Sequence, residues 1–149
     1  MEKTIHAGTI SSIRKEFFAL RNGMIADTLR KGGLEQKYIF GLQLPQIKEI
    51  ALRYKPADEE ETSLLASDLW SDKECREARL LACHMMPPAK MTFEEAKRWG
   101  EDTATREEAD ILAFRLLRYL PYAEELAGLL AASDDPLKKY TSTAIRRFL

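Results

Sequence analysis

The sequence has no apolar run approaching the roughly 20 residues a membrane-crossing helix needs. Its N-terminus, MEKTIHAGTI, lacks an apolar core of signal-peptide length. No membrane partner and a cytoplasmic address are therefore expected. Also missing are a glycine-rich phosphate loop, a nucleophile elbow and any His/Cys spacing suited to a metal, so neither metal nor cofactor is expected. Cysteine is scarce. Cys75 and Cys83 fall within one expected helix, separated by about 12 Å of helical rise, too far for a disulfide. Both read as reduced thiols. A net charge of −1 withholds the strong basic excess of a nonspecific polyanion binder. Strand-like alternation is absent as well.

What remains is helical. The 149 residues, 45% apolar and 32% charged, suit one domain spanning 1–149 that buries roughly two-thirds of its unfolded surface. The chain is organised around Ser63 to Met86, two amphipathic halves joined by a polar turn at Ser71-Asp72-Lys73. A second copy runs from Glu125 to Phe148. Leu65-Ala66 and Leu69 match Leu126-Ala127 and Leu130; Ser71-Asp72 matches Ser133-Asp134, Arg76 matches Lys138, and Ala82 matches Ala144. A hairpin of this kind cannot bury its apolar stripe alone, and repetition implies that stacked neighbours do so. The expected fold is all-α, a HEAT-like α-solenoid of stacked antiparallel helix pairs.

The stripe of Ile13, Phe17 and Leu20 predicts a first helix from about Ser11 to Leu20, and Met24–Leu29 a second, stopped by Gly32-Gly33. A short helical piece is expected within 34–42. A further helix opens at Leu44-Pro45 and runs to Tyr54. Asp58 to Glu61 are placed where a helix N-terminus favours negative charge. Thr92 with Glu95, and Thr105 with Glu108, read as capping boxes, the latter for a helix through Leu120 with Ala109, Leu112, Ala113, Leu116 and Leu117 buried. On the last helix Leu137, Tyr140, Thr141, Ala144, Ile145 and Phe148 form the inner face.

Candidate chemistry is sparse. His84 reads as a buried or half-buried core histidine and His6 as exposed; Trp70 and Trp99 read as core. Asp110 stands out inside Ala109-Asp110-Ile111-Leu112-Ala113-Phe114. It has no basic residue one turn later, and Arg106 one turn earlier is the weaker orientation for an ion pair. Two readings stay open: a solvated carboxylate on the outer face, or a groove carboxylate able to stabilise positive charge developing on a sugar. The second candidate is the basic face of Lys138, Ser142 and Arg146, with Lys139 beside them. It is either solvated or arranged for phosphate contacts. Acidic residues dominate 58–110, between basic-rich flanks.

The stretch Tyr38-Ile-Phe-Gly-Leu-Gln-Leu-Pro-Gln-Ile-Lys-Glu-Ile-Ala resembles the aromatic–Gly–aliphatic–x–x–Pro–x–aliphatic–basic signature of the DNA alkylation repair family. Leu69-Trp70-Ser71 with Glu74, Arg76 and Ala78, then Glu107 to Phe114, then Ser133-Asp134 with Lys138-Lys139, follow in the family's order. The chain is identified as a short, divergent member over roughly residues 30–149. The resemblance implies a HEAT-like solenoid holding alkylated DNA in a concave basic channel, and alkylpurine DNA glycosylase activity. It places the catalytic Asp on Asp110 and a backbone-holding Arg near Lys139. The family's tryptophan one turn before the Asp falls on Arg106, and an early tyrosine on Gly32. DNA contacts are thus expected from Lys138, Lys139, Ser142, Arg146 and Arg106. The competing reading is a non-catalytic scaffold for a protein or peptide partner.

Overall fold

The computed structural model describes residues 2–149, with side chains from His6 onward. Among these residues the ordered elements are nine α-helices and two 3-10 turns, and no strand forms. The fold class is all-α, as the periodicity requires. The chain divides into two units, Met1–Met85 and Met86–Leu149.

The first unit holds α1 (Glu2–Ala19), α2 (Gly23–Lys31), α3 (Leu44–Tyr54), α4 (Glu59–Trp70) and α5 (Arg76–Met85). Ile13 and Phe17 of α1 are buried, joined by Ile47, Ile50 and Ala51 of α3 and by Leu65, Ala66 and Leu69 of α4. Asp58 caps α4, accepting from the Glu60 amide, and three glutamates fill the first turn, where they meet the positive end of the helix dipole. α1 begins well before Ser11, which changes two expectations. Leu20 lies beyond the helix end and is exposed, and His6 is buried. The His6 ring reaches Asp68 through Nδ1 (3.1 Å) and Glu61 through Nε2 (3.3 Å), joining the start of α1 to α4.

Segment 34–42 is not helical. Several of its backbone groups are met by α5 and the turn before it. The Tyr38 amide donates to Glu74 O (2.8 Å), and the Arg76 amide to Tyr38 O (3.1 Å), giving an isolated parallel bridge between Tyr38 and Cys75. The fully buried Glu77 carboxylate then accepts from the amides of Phe40 (3.0 Å), Gly41 (2.9 Å) and Leu42 (3.3 Å) and from Arg76 Nη1 (2.7 Å). With such acceptors on offer, the amides of Tyr38 and of Phe40 to Leu42 are satisfied along an extended path. Gly41 has φ +85°, and a Cβ there would sit 2.3 Å from Asn22 O. Only glycine fits.

The second unit holds α6 (Phe93–Glu101), α7 (Arg106–Arg115), α8 (Ala123–Ala131) and α9 (Pro136–Arg147). Thr92 and Glu95 form the expected capping box. Thr105 caps α7 through the Glu108 amide, but the Glu108 side chain accepts from Ala104 N instead of closing the box. α7 stops at Arg115, short of Leu120. Leu116 leaves helical geometry (φ −135°, ψ −62°), the chain makes a 3-10 turn over Leu117–Tyr119, and Leu120 is extended ahead of Pro121, as the residue before a proline tends to be. The buried stripe from Ala109 to Leu120 survives this change.

The two sequence copies occupy comparable helix pairs, α4–α5 and α8–α9, which are the most extensively packed pairs. Leu65 and Leu126, Ala66 and Ala127, Leu69 and Leu130, and Ala82 and Ala144 are all buried. Lys139 reaches Ala131 O (3.2 Å), Ser142 reaches Ala127 O (2.6 Å) and Arg146 reaches Glu124 (3.2 Å). Ascending α9 therefore means descending α8, so this pair is antiparallel. By the same reasoning α7 and α9 run the same way, since Asp110 meets Tyr140 and Phe114 meets Phe148.

Candidate nucleic-acid interface

Asp110 sits on α7 on the side turned to α9, its side chain 40% exposed. The Tyr140 hydroxyl donates to it, lying 2.9 Å from one carboxylate oxygen and 3.0 Å from the other. One proton is thus shared between two acceptors and the carboxylate is held in a single orientation. Arg147 Nη1 approaches to 3.9 Å. Arg106 does not pair with Asp110. Its guanidinium lies over the Tyr140 ring, 4.9 Å from the centroid, so it contacts the aspartate's partner and leaves the carboxylate's open side unblocked.

One and two turns further along the same side come Phe114 and Arg118. The Arg118 guanidinium carbon lies 4.3 Å from the Phe114 centroid and 4.5 Å from that of Tyr119, with Phe148 at 5.6 Å. Its Nε donates to Phe114 O (2.7 Å), one of the carbonyls freed where α7 ends. Phe114 in turn packs edge-on against Phe148, centroids 5.1 Å apart. The outcome is a face built by α7, the 3-10 turn and the end of α9, carrying three arginines, four aromatic rings and one half-exposed carboxylate.

The expected basic stripe is divided. Ser142 is buried with its hydroxyl on Ala127 O, so it serves the α8–α9 seam and presents nothing to solvent. Lys138 is half-buried. Lys139 and Arg146 lie along α8, bound to Ala131 O and Glu124. Spacing of four residues alone cannot say which flank of a helix meets its neighbour. Here Tyr140 and Arg147 take the α7 flank, and Lys139 and Arg146 the α8 flank.

Sequence reasoning missed Arg147 and the Arg118 cluster. A signal existed: Arg147 follows Tyr140 by seven residues, two turns on the same face, and Phe114 and Arg118 follow Asp110 at helical spacing. His84 is half-buried, its Nδ1 2.9 Å from Leu80 O, and Trp70 and Trp99 are buried, as expected of core residues. Cys75 and Cys83 are free thiols. Burial pushes the Cys75 thiol up to about 11, which removes it as a nucleophile near neutral pH. Among the described residues no His, Cys, Asp or Glu group is placed to hold a metal, and no helix is long and apolar enough to cross a membrane. In the first unit, a groove of about 810 Å³ is lined by Ile10, Ser11, Arg14, Phe18, Phe40 and Ser71 among others; it includes none of the expected site residues.

Helices packed through apolar seams, with no strand among the described residues, define an all-α protein. The model of the family described as DNA alkylation repair enzyme matches residues 13–145, most of the chain. The chain belongs to this family, and DNA repair is its family-level role. No curated protein and no solved structure matches it significantly.

Proposed function

We propose that the protein binds DNA along the α7–α9 face and acts there as an alkylpurine DNA glycosylase, with Asp110 as the electrostatic catalyst. The observation that carries this reading is the state of Asp110: half-exposed, oriented by Tyr140 and bordered by Arg106 and Arg147. An alkylated purine is a cationic leaving group. As its C–N bond breaks, the electron pair neutralises the base and positive charge grows on the sugar. A fixed carboxylate beside that sugar stabilises the developing charge. Asp110 then orients a water for attack on the same carbon and takes its proton. Arg147 and Arg106 are proposed to contact backbone phosphates, with Lys138, Lys139 and Arg146 supplying outer contacts from the neighbouring flank. We further propose that α4–α5 and α8–α9 are units of a HEAT-like solenoid forming one domain, and that the protein is cytoplasmic.

A second reading, a non-catalytic scaffold for a protein or peptide, draws support from the Tyr140 hydroxyl spanning both Asp110 oxygens and from the separate groove in the first unit. Base release tests the catalytic part of the first reading. Purified protein incubated with methylated DNA is expected to release 7-methylguanine or 3-methyladenine, and Asp110→Asn is expected to abolish release while the variant stays folded. Release no greater than a buffer blank removes the glycosylase reading.

A further inference from the structure

The Arg118 cluster is not used by the chemistry proposed for Asp110, yet it is the most strongly organised exposed group on that face. The guanidinium lies over two rings, its carbon 4.3 Å from the Phe114 centroid and 4.5 Å from that of Tyr119. It is fixed by hydrogen bonds to Phe114 O and to the Tyr119 hydroxyl, and Phe114 is buttressed by Phe148. The stack has an open end. Tyr119 is 58% exposed although a cation already covers one side of its ring, so the uncovered face looks into solvent. Tyr119 stands on the 3-10 turn Leu117–Tyr119 that follows the break at Leu116.

An exposed ring beside a fixed arginine matches a ligand that is both flat and anionic. Stacking of a base on an aromatic side chain is worth about 1–3 kcal/mol and tolerates any sequence, because every base has a π-face. In a continuous duplex those faces are covered by neighbouring base pairs, and only edges and phosphates are offered. The ring can therefore be used in full only by a base that has lost its neighbour. We infer that the Phe114–Arg118–Tyr119 stack is a platform for an unpaired base, so that the face takes DNA carrying a single-stranded stretch or gap. This rests on the assignment of the α7–α9 face to DNA and narrows it to a class of DNA structure.

The test uses the full chain and fluorescence anisotropy with two probes, a labelled single-stranded oligothymidylate and a blunt duplex of the same length. Tyr119→Ala removes a half-exposed ring and is expected to weaken oligothymidylate binding about 5- to 150-fold. Tyr119→Trp should restore it, and duplex affinity should stay within about twofold of wild type in both variants. Equal losses on the two probes, or no loss on oligothymidylate, overturn the inference, as does failure of the wild-type protein to bind oligothymidylate. If duplex binding and base release persist in any of those cases, the Asp110 reading stands without the platform. If the platform behaves as expected and no base is released, the reverse holds.

Discussion

The Glu77 cradle offers the sharpest test of how the first unit holds together. Glu77→Ala deletes a fully buried carboxylate that serves three consecutive backbone amides, Phe40 to Leu42, and the Arg76 guanidinium. Losing one partner of a buried, hydrogen-bonded charge costs about 3–5 kcal/mol, because the remaining groups stay desolvated. At about 2–4 °C per kcal/mol for a chain of this size, Tm should fall by roughly 6–20 °C. Glu77→Gln keeps the shape but turns one oxygen into a donor. With its oxygen kept on Gly41, Leu42 and Arg76, its amide nitrogen would face the Phe40 N–H. That loses one bond and should cost less, about 1–3 kcal/mol. Thermal unfolding followed by circular dichroism gives the ordering. Hydrogen exchange at residues 40–42 gives the mechanism, since these three amides should be protected in the wild type and exchange freely in the alanine variant. A Tm unchanged in Glu77→Ala, with all three amides still protected, would refute the account of why this segment is extended.

Two further outcomes bear on packing and charge. Ala144 is fully buried on α9, so Ala144→Glu must bury an unpaired carboxylate and overfill the seam; loss of the second unit's cooperative melting is expected, and an unchanged melt would show that α9 is not a packed repeat helix. Glu16 is held below its ordinary value of 4.5, first by the Arg53 hydrogen bond and then by Tyr54. A depressed carboxyl contributes stability that is present above its unfolded value and lost as pH falls through the folded one. The stability gap between wild type and Arg53→Ala should therefore narrow as pH drops below 4.5, and a gap constant into the acid range in urea titrations would count against it.

The elements that were legible from the sequence are those governed by local rules. The Thr92–Glu95 box, the proline-led start of α3, the glycine stop after α2 and the buried stripes of α7 and α9 depend on residues within a few positions of one another. Segment 34–42 was misread because its apolar residues fit a short helix equally well; the deciding partner, Glu77, lies 35 to 37 residues away. His6 was misplaced for the same reason, its partners being Glu61 and Asp68.

The candidate site divides along the same line. Composition and periodicity were enough for an all-α chain and for Asp110 as an acid among apolar neighbours; the signature from Tyr38 to Ala51 carried the family resemblance that the match over residues 13–145 bears out. Which flank of α9 faces α7 was a tertiary matter. The choice brought Tyr140 and Arg147 to Asp110 and turned Ser142, Lys139 and Arg146 to α8. A helical stripe is written in one chain's spacing, whereas the neighbour it meets is selected by how the apolar seams of separate helices pack.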